Sequence, residues 1–83
     1  MVIYSITIKE LIPYLRNGWI AMDKNGDWCW YEHKPVCVDV ENCQKWLRED
    51  INHLWCNLSS VFEIAPCSVN IDWKKSLRKV KND

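Results

Sequence analysis

The sequence predicts a small single α+β domain over residues 1–83, in which an antiparallel β-hairpin or meander is packed by short helices, one of them an amphipathic helix at the C-terminus. Three observations lead there. A capping-box spacing precedes an apolar stripe near the N-terminus. An Asn25-Gly26 turn separates two β-rich runs. Trp73, Leu77 and Val80 recur at helical spacing near the end. A chain of 83 residues builds one core and buries roughly 60 to 65% of the surface its unfolded form would expose.

The first element lies in "SITIKELIPYLRNGW". Thr7 and Glu10 have capping-box spacing, Leu11, Ile12 and Leu15 form an apolar stripe, and Gly18 is a natural stop, which predicts a helix over residues 8–16. Pro13 removes a backbone donor and clashes with the preceding turn, so the helix is expected to kink there or to begin late.

The second element is a hairpin, with strands over residues 19–23 and 27–33 around Asn25-Gly26 and with Pro35 closing the run. Two registers fit. A two-residue turn puts Ile20, Met22, Cys29 and Tyr31 on one face and Trp19, Ala21, Asp23, Trp28, Trp30 and Glu32 on the other. A type I turn opening at Asp23, with Gly26 in a left-handed bulge, moves Trp28 and Trp30 to the face of Ile20 and Met22. In both, alternation keeps Trp28, Trp30 and Glu32 together.

The middle has two readings. Cys43, Trp46, Leu47, Ile51, Leu54, Trp55 and Leu58 fall on one helical face, whereas "KPVCVDV" is β-branched and alternating, and "REDINH" reads as a turn between two further strands. "SSVFEI" is too short to assign, and "IAPC" is a connection. In "DWKKSLRKV" an Asp opens and basic residues close an apolar stripe, as the helix dipole favours, and the last residues, about 79–83, are expected to fray.

Composition excludes several classes. With 48% hydrophobic and 27% charged residues the chain reads as an ordinary soluble domain. Residues 1–8 are too short for a membrane span and lack a basic leader, so a cytoplasmic protein without membrane contact is expected. Cys29, Cys37, Cys43, Cys56 and Cys67 are an odd set without the spacing of a secreted framework, which favours reduced thiols. His33, Cys37, Cys43, His53 and Cys56 supply enough ligand types for zinc, but no Cys-x-x-Cys pair exists, so no metal and no cofactor is expected. Neither histidine belongs to a nucleophile elbow. The carboxylate pairs Asp23 with Asp27 and Glu49 with Asp50 read as solvated charge, so the chain is not expected to be an enzyme.

The string "LIPYLRNGWIAMDKNGDWCWYEHKP", followed later by "IAPCSVNIDWKKSLRKV", resembles small uncharacterised reading frames of phages and prophages of Gram-positive bacteria. The resemblance rests on Gly18, Trp19, residues 21–23, Gly26, Trp28, residues 30–32, Lys34 and Pro35, and on Asp72, Trp73, Ser76 and Leu77. It covers roughly half of the chain and implies a phage accessory protein. Some phage proteins of this size counter bacterial immunity, in the manner of anti-CRISPR and other anti-defence proteins, by binding a defence protein or sequestering a nucleotide signal.

The residues themselves point to a binding module, because six tryptophans in 83 residues are several times the usual share and tryptophan anchors interfaces with large apolar area and few rotatable bonds. Trp46, Trp55 and Trp73 are expected in the core. Trp19, Trp28 and Trp30, with Asp23 and Glu32, form the expected binding face. The resemblance implies a bacterial host protein or a small nucleotide as the partner in the host bacterial cytoplasm, and the exposed face itself allows a second copy of the chain in a homo-oligomer. The acidic rim of Asp23, Asp27 and Glu32 favours a basic protein. The alternative is a nucleic-acid-binding accessory protein. Residues 1–73 carry six basic and ten acidic side chains, and residues 74–83 carry five basic and one acidic, so Lys74, Lys75, Arg78 and Lys79 form a basic terminal helix on an acidic body.

Overall fold

The computed structural model describes residues 5–65 and 72–82. Its centre is the expected hairpin. Strands β1 (Gly18–Met22) and β2 (Trp28–Tyr31) pair antiparallel with Ile20 opposite Trp30 and Met22 opposite Trp28. This is the bulged register. Gly26 N–H donates to the Asp23 carbonyl at 2.9 Å, Asp23 N–H donates to the Asp27 carbonyl at 2.9 Å, and Gly26 adopts φ +95°. Glycine suits that left-handed position because it has no Cβ to clash. The register collects Ile20, Met22, Trp28 and Trp30 on one face and Trp19, Ala21, Cys29 and Tyr31 on the other.

Two more strands flank the pair. Strand β5 (Trp55–Asn57) joins β2 and β6 (Arg78–Val80) joins β1, giving one antiparallel sheet in the order β5-β2-β1-β6. Strands β3 (Val36–Val40) and β4 (Cys43–Leu47) form a separate two-stranded ribbon. Of the two readings of the middle, the strands hold, with residues 48–54 as the turn. The two strands that turn connects go to different sheets.

The first face of the sheet is covered by helix α1 (Ile8–Leu11), the 3-10 turn Ile12–Tyr14 and helix α2 (Leu58–Val61), whose Ile8, Leu11 and Leu58 pack on Ile20, Trp28 and Val80. The capping box forms: Glu10 N–H donates to Thr7 Oγ1 at 3.1 Å, and Thr7 N–H donates to Glu10 Oε1 at 3.4 Å. The α-helix stops at Leu11 and tightens into 3-10 geometry around Pro13, as a residue without a donor requires. The second face is covered by Trp46 of the ribbon and by Trp73 and Leu77.

Two serines finish the strand edges. Beyond the end of β6, the buried Ser76 hydroxyl accepts from Met22 N–H at 2.8 Å and lies 3.1 Å from the Met22 carbonyl and 2.6 Å from the Trp73 carbonyl. On the opposite edge Ser59 Oγ accepts from Trp28 N–H at 2.9 Å. Each hydroxyl replaces a ladder bond where the neighbouring strand has ended, so these backbone groups keep a partner.

The C-terminal amphipathic helix is corrected. Residues Trp73–Lys75 form a single 3-10 turn capped by Asp72, and Arg78–Val80 then run as a strand. The β1 edge explains this, because three residues that would add less than one helical turn instead satisfy a row of free backbone groups. Two residues of the expected frayed tail have contacts with the body. Val80 is buried, and Asn82 donates through Nδ2 to the Ile12 and Leu15 carbonyls at 2.8 and 2.7 Å. No helix among the described residues is long and apolar enough to cross a membrane.

Candidate functional site

The bulged register disperses the expected binding face. Trp28 is buried and Trp30 packs against the same core, its indole Nε1 donating to the Arg16 carbonyl at 3.0 Å. They are structural, because the turn puts them under α1 and α2 instead of opposite the core. Trp19 sits on the other face of the sheet, and exposed Glu32 at the same end. Asp23 lies at the far end of β1, where its Oδ1 accepts from Trp46 N–H at 2.8 Å and so fastens the ribbon to the hairpin turn. Of the five residues, Trp19 and Glu32 line a common depression.

The basic set is dispersed as well. Lys74 Nζ pairs with Asp39 Oδ2 at 3.3 Å, Lys75 is exposed on the 3-10 turn, and Arg78 and Lys79 point to opposite faces because they are neighbours in a strand. A helix would have grouped them.

A groove of about 440 Å³ lies between the ribbon and the sheet, lined at one end by Asp23, Asp27 and Asn57 and at the other by Tyr31, Arg48 and Trp55. Burial holds the Asp23 carboxyl above its usual range, with the Trp46 amide and Lys45 opposing. Burial likewise raises Tyr31, and pushes Cys29 up to about 11, which keeps that thiol protonated and unreactive at neutral pH. The Tyr31 hydroxyl donates to the Trp46 carbonyl at 3.2 Å. Together these groups form a largely buried, hydrogen-bonded floor.

The wall of the groove is the loop over residues 48–54. Arg48 Nη1 donates to the Ile51 and His53 carbonyls at 2.9 and 3.1 Å, and its guanidinium carbon stands 5.7 Å from the centre of the Trp55 ring. The rings of His33 and His53 lie 4.0 Å apart and brace the same loop against the end of β2. The loop presents apolar surface: Ile51 is 81% exposed, Leu54 54% and Trp55 47%. Trp55, expected in the core with Trp46 and Trp73, is the exception, since Trp46 is buried and Trp73 packs on the second face. Sequence reasoning misses Trp55 because its spacing fits a helical stripe, and Arg48 because it reads only as the first residue of the turn segment "REDINH". The signal against a helix is the largely polar "REDINH" that precedes Leu54 and Trp55.

The zinc candidates do not assemble, and no group of three or more metal-ligating side chains occurs among the described residues. Cys37 and Cys56 are exposed and Cys43 is half-buried. Cys67 lies outside the described residues. Against known proteins, the chain matches no family model, no curated protein and no solved structure.

Proposed function

We propose that this chain is a phage-type accessory binding protein that works without catalysis in the bacterial cytoplasm, occupying a host protein through the loop over residues 48–54 and the groove beside it. The observation that carries the reading is Trp55, a half-exposed tryptophan held in place by an arginine that itself pins the loop. Tryptophan, tyrosine and arginine dominate interface hot spots, where a rigid aromatic loses little entropy on binding. Trp55 and Arg48 meet at this groove above the buried Tyr31, with Ile51 and Leu54 as apolar surface on the loop. The acidic end at Asp23 and Asp27 favours a partner with a basic contact segment. Inhibition of a defence system is the setting that the resemblance to phage reading frames implies.

Affinity capture from host lysate, read by mass spectrometry and then by titration of the recovered protein, tests this. Trp55→Ser is expected to weaken the complex about 30-fold or more, as for an interface anchor, while costing about 1 kcal/mol or less of stability. A folded Trp55→Ser protein that binds its partner as tightly as the wild type would remove the groove from the reading.

A further inference from the structure

We propose that Trp19 and the lysines around it form a contact point for single-stranded nucleic acid, a site separate from the groove. The argument begins with strand geometry. Trp19 on β1 has Lys79 as its cross-strand neighbour on β6, and alternation puts both on the same face. The chain leaving β2 brings Lys34 alongside the same ring, just before the buried Pro35. The two ammonium groups stand 5.6 Å (Lys34) and 5.8 Å (Lys79) from the centre of the indole ring.

Two cations sharing one aromatic ring repel each other, and an anion beside them relieves that repulsion. A shallow depression of about 310 Å³ opens here, lined by Trp19, Lys79, Lys81, Asn17 and, as its acidic member, Glu32. Glu32 is engaged by His33 Nε2 at 3.2 Å. A half-buried indole with lysines beside it matches what a single strand carries: a base with a π-face and a phosphate every nucleotide. A duplex hides its bases, and a protein partner has no reason to prefer this chemistry over the acidic groove at the other end.

The site differs from a basic tail. Lys74 is committed to Asp39 and Arg78 faces away, so the cations that count are Lys34, distant in sequence, and Lys79.

Binding of a fluorescein-labelled short oligo(dT), followed by anisotropy at about 50 mM salt and again at about 200 mM, tests the assignment. The wild type is expected to bind and to weaken with salt. The double variant Lys34→Gln/Lys79→Gln is expected to bind at least about 10-fold more weakly, with a salt slope reduced by about 1 to 1.5, because two phosphate contacts are gone. Lys75→Gln, outside the depression, should stay within about 2-fold of the wild type. Trp19→Leu should weaken binding about 5-fold or more by removing the stacking surface. If that variant melts early, the lysine variants, which alter only surface charge, still decide the question. Three results would overturn the proposal: no binding of oligo(dT) at the lower salt, an equal loss from Lys75→Gln, or thymidine monophosphate binding as tightly as the oligonucleotide.

Discussion

Strand β2 reads Trp28, Cys29, Trp30, Tyr31, and strand β3 reads Val36, Cys37, Val38, Asp39, Val40; three of the four β2 residues are buried and none of the β3 residues is. Both are rich in side chains that favour strands. What separates them is position. β2 has a strand on each side and a packed layer on each face, whereas β3 pairs only with β4, and the ribbon touches the body chiefly through Trp46, its one buried side chain. A chain this short has too few residues to cover a second sheet on both faces. Apolar character decides what is able to be buried; the number of layers available decides what is buried.

That contrast can be broken in graded ways. Trp28→Ala should be the most damaging, at about 3 to 5 kcal/mol, because it empties the centre of the first-face core. Urea denaturation would show it as a drop in midpoint without a change in slope. Trp46→Ala should cost about 2 to 3 kcal/mol and act locally. Amide exchange would then accelerate in β3 and β4 more than in β1 and β2, and uniform acceleration would mean that the ribbon and the sheet fold as one unit.

Ser76→Ala should cost about 1 to 3 kcal/mol, since the Met22 N–H would lose the buried Ser76 hydroxyl as its partner on that edge. Thermal melts of Ser76→Ala beside Ser76→Thr, which keeps the hydroxyl, would separate the hydrogen bond from the packing. Gly26→Ala should cost about 1 kcal/mol through backbone strain alone, because a Cβ at that position meets no atom within 4 Å. Val40→Thr on the ribbon should change stability by less than about 0.5 kcal/mol. A loss approaching that of Trp28→Ala, measured in the same denaturation series, would show that the outer face of the ribbon is covered in solution.

Much of this was legible beforehand where the cause is local. The Thr7 and Glu10 capping box, the disturbance at Pro13 and the turn at Asn25-Gly26 depend on residues within a few positions of one another, and each formed as its chemistry requires. The candidate site was less legible. Trp28 and Trp30 looked available in one of the two registers, and Trp55 looked like core on a helical stripe, because spacing alone does not say what lies across the sheet.

The sequence by itself determined the hairpin, the α+β class and the first helix with its capped start, since capping, proline geometry and turn chemistry act within a single stretch of chain. Only the tertiary structure decided the register, the strand at the C-terminus and the exposure of Trp55. The bulge at Gly26 assembles four large side chains under one pair of helices, and Arg78–Val80 pairs with an edge of β1 that is some sixty residues distant in sequence. Such outcomes depend on which backbone edges and apolar faces remain unmatched once the rest has folded, and that is a property of the assembled layers, absent from any local segment.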